Sequence, residues 1–184
     1  PYRSIIEVLD DTIPREFLKE IRKYSLFSLS GINTPKIVYT PLNGTGNILV
    51  REILKNVEIK DVIVVPDQEK PDGNFPTCPY PNPEEKAALK LAVELADKKN
   101  ADLVLATDPD ADRVGIAVKT KNGYQLLNGN ETGVLMENYI FSLRKKTDKT
   151  PVFVKTIVTS DMSGDIAKAY GAEVKEVLTG FKYI

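Results

Sequence analysis

The stretch that most limits what this chain can become is residues 103–118, Leu-Val-Leu-Ala-Thr-Asp-Pro-Asp-Ala-Asp-Arg-Val-Gly-Ile-Ala-Val. Two apolar runs, 103–106 and 114–118, read as short buried strands. Between them Asp108, Asp110 and Asp112 fall within five positions. Carboxylates packed so closely repel one another, and a loop that keeps them calls for a cation in their midst. Ligands that are all oxygen suit a hard ion, Mg2+ first and Ca2+ or Mn2+ after it. Arg113 follows at once and offers a planar fork suited to phosphate beside that metal.

Other readings compete for these residues. An EF-hand loop counted from Asp108 would need Gly at its sixth position and Glu at its twelfth; the chain has Arg113 and Lys119 there. A phosphatase of the haloacid-dehalogenase type also places Asp-x-Asp after a buried strand, with the first Asp, here Asp108, as nucleophile. That chemistry has no use for a third Asp joined to Arg. An acidic surface turn is the plain alternative, since Asp and Pro are turn formers, but three aspartates plus Arg between apolar strands leave it little weight.

Composition narrows the classes further. The chain has 184 residues, room for one large or two small domains. Its 42% hydrophobic content supports a packed core, and a net charge of −1 gives no electrostatic argument for nucleic acid or a membrane surface. No apolar run approaches the ~20 residues of a membrane span. Cys78 stands alone, which excludes an internal disulfide and fits a reducing cytoplasm. Histidine is absent, so no His acts as base, nucleophile or metal ligand.

Along the chain, helical and strand patterns alternate. Helical spacing covers 14–29, with Pro14 in the first turn. A short strand at 37–39 leads through a turn at 40–46 into a helix near 46–56, and 62–65 reads as the next strand. Residues 66–83 hold six of the twelve prolines and read as an irregular crossover. An amphipathic helix at 84–99 puts Ala87, Ala88, Leu91, Leu95 and Ala96 on one side. Strand 102–106, the acidic loop, strand 114–118, a turn at Asn122-Gly123 and a second arm at 124–127 follow. The expectation is a three-layer α/β/α domain over 1–127, its mixed sheet mostly parallel with an antiparallel portion near 114–127. A helix from about Glu131 to Lys146, a strand at 151–155, a helix at 161–170 and a strand at 174–177 predict a second, incomplete α/β unit of the same type over 128–184. That unit is too small to bury both faces of its sheet, so the chain is expected to be a fragment.

Gly44-Thr-Gly46 lacks the third glycine of a dinucleotide fingerprint and the Gly-Lys-Ser/Thr end of a P-loop. It reads as a turn holding a strand against the next helix. Thr159-Ser160-Asp161 reads as a helix cap, with no base nearby to make Ser160 catalytic. Arg144-Lys-Lys146 reads as a solvated helix end favourable to the macrodipole.

The run Thr107-Asp-Pro-Asp-Ala-Asp-Arg113 resembles the metal-binding loop of the α-D-phosphohexomutases, the phosphoglucomutase/phosphomannomutase superfamily. Further segments resemble that family in order. Thr40-Pro-Leu-Asn-Gly-Thr-Gly-Asn47 is similar to the turn opening its second domain, and Pro81-Asn-Pro-Glu-Glu85 to the lead-in of that domain's long helix. Lys155–Ser160 and Thr179-Gly-Phe-Lys-Tyr-Ile184 resemble elements of its third domain. Phe181 resembles the phosphoglucomutase and phosphopentomutase branch more than the phosphomannomutase or phosphoglucosamine mutase branches.

This resemblance implies reversible phosphoryl transfer between C1 and C6 of a hexose phosphate, through a phosphoserine and a bisphosphorylated intermediate of the glucose 1,6-bisphosphate type. It implies Mg2+ at Asp108, Asp110 and Asp112, phosphate beside Arg113, and sugar phosphate at Thr179, Gly180 and Lys182. The serine donor is expected upstream in domain 1. Domains 1 and 4 and the end of domain 3 would lie outside this chain, which alone is expected to be inactive. A phosphomannomutase or phosphopentomutase, a Mg2+-dependent phosphatase and a non-enzymatic α/β binding module remain the alternatives.

Overall fold

In the computed structural model, residues 7, 10–26, 28, 31–144 and 149–184 are described. Five strands form the main sheet: β1 (Ile37–Thr40), β2 (Val62–Val64), β3 (Leu103–Thr107), β4 (Val114–Thr120) and β5 (Gly123–Leu127), in the order β2-β1-β3-β4-β5. β1 is parallel to β2 and to β3, while β4 runs against both β3 and β5. Four strands thus share one direction and β4 opposes them, the mixed and mostly parallel sheet that the sequence predicts. All four residues of β1 are buried, as a central parallel strand covered on both faces requires.

The strand order fixes where the helices go. The connection β1–α2–β2 (α2, Asn47–Asn56) moves outward across the sheet, and β2–α3–β3 (α3, Lys86–Lys99) returns past β1. Crossovers of this kind are right-handed, so helices travelling in opposite directions cover opposite faces and produce three layers. The core beneath α3 joins Val38, Val104, Ala106 and Ala117 of the sheet to Leu89, Ala92 and Ala96 of the helix.

This differs in part from the face expected for α3. Ala88 and Ala96 are buried, but Ala87 is exposed and Leu91 and Leu95 are half-buried. The small Ala92 and the larger Leu89 take the inward positions, since the helix starts at Lys86 and is set by its packing on β1 and β3. The first helix, α1 (Thr12–Arg22), starts and stops before the predicted 14–29. Asp10 Oδ1 accepts from Thr12 N at 2.9 Å and marks the start. Beyond Arg22 the described apolar residues stay exposed, Tyr24 at 82% and Leu26 at 46%. Residues 27 and 29 of the predicted helix lie outside the described ones.

The second unit contains α4 (Gly129–Leu143), β6 (Val152–Thr156), α5 (Asp161–Ala169) and β7 (Glu173–Val177), with β6 and β7 parallel. α4 begins two residues before the expected Glu131 because Asn128 and Glu131 form a reciprocal cap. Glu131 N donates to Asn128 Oδ1 at 2.9 Å, and Asn128 N donates to Glu131 Oε2 at 2.8 Å. Glu131 is therefore the third residue of the helix. α4 ends at Leu143; Lys145 and Lys146, in its predicted tail, lie outside the described residues. Phe141 of α4 stacks on Tyr170 with ring centroids 5.5 Å apart and meets Phe153 of β6 edge-on at 6.1 Å.

Candidate metal centre

β1 and β3 lie side by side and parallel, Ile37 opposite Leu103 and Thr40 opposite Ala106. Their carboxyl ends emerge together, so the loops leaving them, 41–46 and 108–113, share one edge of the sheet. Ligand sites in open α/β sheets form at such places, where connections diverge from neighbouring strand ends.

Asp108 follows the last residue of β3 and is only 8% exposed. Its Oδ1 accepts from Arg113 N at 2.9 Å, and its carbonyl accepts from Ala111 N at 3.0 Å. The turn between them is tight enough to put Ala111 in the left-handed region at φ +61°. Asp110 and Asp112 are exposed. One carboxylate oxygen from each of Asp108, Asp110 and Asp112 can be chosen so that all lie within 4.8 Å of one another. Arg113 reaches them only loosely, its Nε 3.8 Å from Asp108 Oδ2 and 3.8 Å from Asp112 Oδ1 with a largely exposed side chain.

These donors fit a hard divalent cation. Ligands sit about 2.0–2.1 Å from Mg2+, so oxygens on the ion are about 3 Å apart when adjacent and about 4.2 Å when opposite; the three carboxylates are near enough to draw in on one ion by side-chain rotation. All donors are oxygens, and one loosely held guanidinium does not balance three carboxylates. Among the described residues, no other three acidic, Cys or His side chains are gathered in this way.

The loop rests on a bed built by the glycine-rich turn. Thr45 N and Thr45 Oγ1 both donate to the Pro109 carbonyl, at 2.8 and 3.1 Å. A methyl group on Gly44 would lie inside 3.0 Å of the Pro109 Cα, carbonyl carbon and oxygen. One on Gly46 would meet Thr107 Oγ1 at 2.8 Å and Tyr39 Oη at 2.9 Å, the two hydroxyls that share a buried hydrogen bond of 2.8 Å under the loop. Burial raises the Tyr39 phenol above its ordinary pKa, so it stays neutral there. Asn43 anchors the turn from behind, its Nδ2 donating to the carbonyls of Lys70 and Asp67 at 2.9 and 3.3 Å. On the other flank, Gly115 of β4 leaves the space taken by the Pro83 carbonyl.

Reading Gly44-Thr-Gly46 as a strand-to-helix turn describes its backbone, but misses that it carries the acidic loop. The missing signal is topological. Only the pairing of β1 with β3 brings residues 64 positions apart together.

The other sequence candidates are placed elsewhere. Thr179 and Gly180 follow β7, and Lys182 lies in a 3-10 turn over Phe181–Tyr183. Gly180 has φ +127°, a conformation that favours glycine. Lys182 Nζ sits 5.0 Å above the ring of Tyr183. No hydrogen bond or ion pair among the described residues joins this segment to the aspartates. Ser160 caps α5, its Oγ accepting from Met162 N at 3.3 Å, while its own N–H donates to Asn130 Oδ1 at 2.8 Å.

Comparison with known proteins adds to this geometry. Residues 15–123 match the model described as phosphoglucomutase/phosphomannomutase, alpha/beta/alpha domain II, and residues 128–184 match domain III of the same description. A phosphoglucomutase of Staphylococcus saprophyticus is 38% identical over 97% of this chain and 32% of its own length. A phosphoribomutase of Saccharomyces cerevisiae is 41% identical over 82% of this chain and 26% of its own. A crystal structure of a phosphoglucomutase/phosphomannomutase family protein from Burkholderia thailandensis, 19% identical, superposes over 91% of this chain and 33% of that one with a TM-score of 0.73. The chain spans about a third of the length of curated relatives that it matches nearly end to end.

Proposed function

Since this chain belongs to the phosphoglucomutase/phosphomannomutase family, we propose that it is the metal-holding part of a sugar-phosphate mutase. In this reading residues 1–127 are its second domain and 128–184 the start of its third. The reaction is phosphoryl transfer between C1 and C6 of a hexose phosphate, with glucose 1-phosphate and glucose 6-phosphate as the favoured pair. A bisphosphorylated sugar is the intermediate, and the enzyme works in the cytoplasm. The observation that carries the reading is the gathering of three carboxylate oxygens within 4.8 Å on the shared edge of two parallel strands.

Mg2+ held by Asp108, Asp110 and Asp112 would offset negative charge at a transferring phosphoryl group, which is where phosphoryl transfer gains most from an enzyme. The chain's own residues do the rest of the placing. Arg113 N fixes the buried Asp108 carboxylate, while the Arg113 guanidinium, exposed and loosely paired, is free to take a phosphate in its fork. Thr179, Gly180 and Lys182 would meet the sugar phosphate, Gly180 through close backbone approach and Lys182 through charge.

Phosphomannose or a pentose phosphate is the alternative substrate within the family, and relatives with different sugars in their names support keeping it. The phosphatase reading has less support, because a nucleophilic Asp108 leaves the third carboxylate, Asp112 beside Arg113, without a task.

Two measurements test the proposal. Titration with Mn2+ should show saturable binding that Asp110→Asn strongly weakens; equal binding by that variant would end the metal assignment. Incubated with glucose 1-phosphate, glucose 1,6-bisphosphate and Mg2+, the chain alone should form no glucose 6-phosphate. Metal-dependent release of phosphate, abolished by Asp108→Asn, would favour the phosphatase.

A further inference from the structure

We propose that Thr45 is a positioning residue for the metal centre, acting through Pro109 on Asp110. The inference rests on the metal reading above and assigns to the glycine-rich turn a task beyond joining β1 to α2.

The Pro109 carbonyl belongs to the peptide unit whose nitrogen is that of Asp110. A peptide unit is planar, so holding its oxygen sets the direction in which the Asp110 Cα, and with it the carboxylate, leaves the turn. Thr45 holds that oxygen twice, through its N–H at 2.8 Å and its hydroxyl at 3.1 Å. Gly44 brings the two backbones into direct contact, so the grip is a close one. The other two carboxylates are governed differently. Asp108 is buried and bonded to Arg113 N, and Asp112 lies next to Arg113 in sequence and within 3.8 Å of its Nε. Asp110 is exposed and forms no ion pair among the described residues, so the peptide before it is its means of placement. It is also the ligand for which a loss of placement matters most, since repulsion from the other two carboxylates drives it outward into solvent.

The hydroxyl is the part of the grip that a substitution can remove cleanly. Thr45 is exposed, and Thr45→Val keeps the shape, the backbone N–H and its bond to Pro109. Thr45→Ser keeps the hydroxyl and loses only a methyl group.

The test is Mn2+ affinity of the chain, followed by electron paramagnetic resonance, for the parent, Thr45→Val, Thr45→Ser, Asp110→Asn and the double variant Thr45→Val/Asp110→Asn. One hydrogen bond is at stake, so Thr45→Val should bind about two- to tenfold more weakly, while Thr45→Ser stays near the parent. In the Asp110→Asn background, Thr45→Val should weaken the residual affinity much less than in the parent, because the charged group it positions is already gone. A valine variant with parental affinity, while Asp110→Asn loses binding, overturns this inference and leaves the metal reading standing. An equal loss from Thr45→Val in both backgrounds also overturns it, since that would be general loosening of the loop. Parental affinity in Asp110→Asn would overturn the metal reading and this inference together.

Discussion

The loop after β3 and the segment after β7 both leave the carboxyl end of a parallel strand, and both carry residues assigned here to substrate or metal. They are built in opposite ways. Around 108–113, support comes from the turn after β1, from the Tyr39 and Thr107 hydroxyls underneath, and from the loop's own Arg113 N–H. The segment 179–184 is held largely by its own turn, Tyr183 N to Gly180 O at 2.9 Å and Ile184 N to Phe181 O at 3.1 Å, and Phe181 is 93% exposed. The difference follows from charge. Three carboxylates in five residues push the loop apart before any cation arrives, so the protein must hold it closed in advance. A lysine, a threonine and a glycine do not repel one another and need no such frame.

The largest test of this contrast is Gly44→Ala. Its methyl group has only Pro109 backbone to move, and overpacking of this kind costs about 1–3 kcal/mol. Chemical denaturation should show that loss, together with weaker Mn2+ binding. Gly73→Ala, where the added carbon has nothing within 4 Å, should stay within about 0.5 kcal/mol of the parent. Equal effects at the two glycines would mean that the bed under the acidic loop is not tight.

A smaller effect is expected in the second unit. Glu137 on α4 is buried, and neither of its oxygens has a hydrogen-bond partner of normal geometry. Burial raises its carboxyl pKa above the ordinary glutamate value, with Ser163 offsetting part of the rise. A carboxyl raised on folding destabilises the fold at pH values above its unfolded pKa, where the unfolded chain releases the proton more readily. Below that value the group is protonated in both states and the penalty vanishes. Glu137→Gln should therefore raise the melting temperature at pH 7, and the gain should shrink as pH falls to about 4. A gain that is constant with pH would point to packing and not to ionisation.

The smallest effect belongs to the exposed segment. Phe181→Ala should leave stability within about 0.5 kcal/mol and Mn2+ affinity unchanged. A clear loss of either would show that 179–184 is tied to the body of the molecule after all.

Much of this arrangement is legible in the sequence, and what is not has a common cause. The strands flanking the aspartates and the Ser160 cap are local patterns, each found where residue chemistry puts it; the hairpin turn falls one residue earlier than expected, with Lys121 and Asn122 in the loop and Gly123 already opening β5, paired with Thr120. The inward face of α3 depends on how the helix rolls against β1 and β3, and periodicity alone cannot choose between Ala87 and Leu89. The end of α1 depends on whether a surface exists for Tyr24 to cover. Thr45 could not be singled out, because its partner Pro109 is 64 residues away and nothing in the intervening chain announces which strands will be neighbours.

That separation has a consequence for how the protein acquires its site. Closing a contact across 64 residues has an entropy cost that local structure cannot offset, so long-range pairing of this kind forms late. The glycine-rich turn and the acidic loop each exist in a partly folded chain, but not against each other until β3 has docked on β1. A tightly held Mn2+ ion would then be a witness to completed folding. In a refolding experiment, its capture should lag behind the appearance of helix and coincide with the final burial of Tyr39.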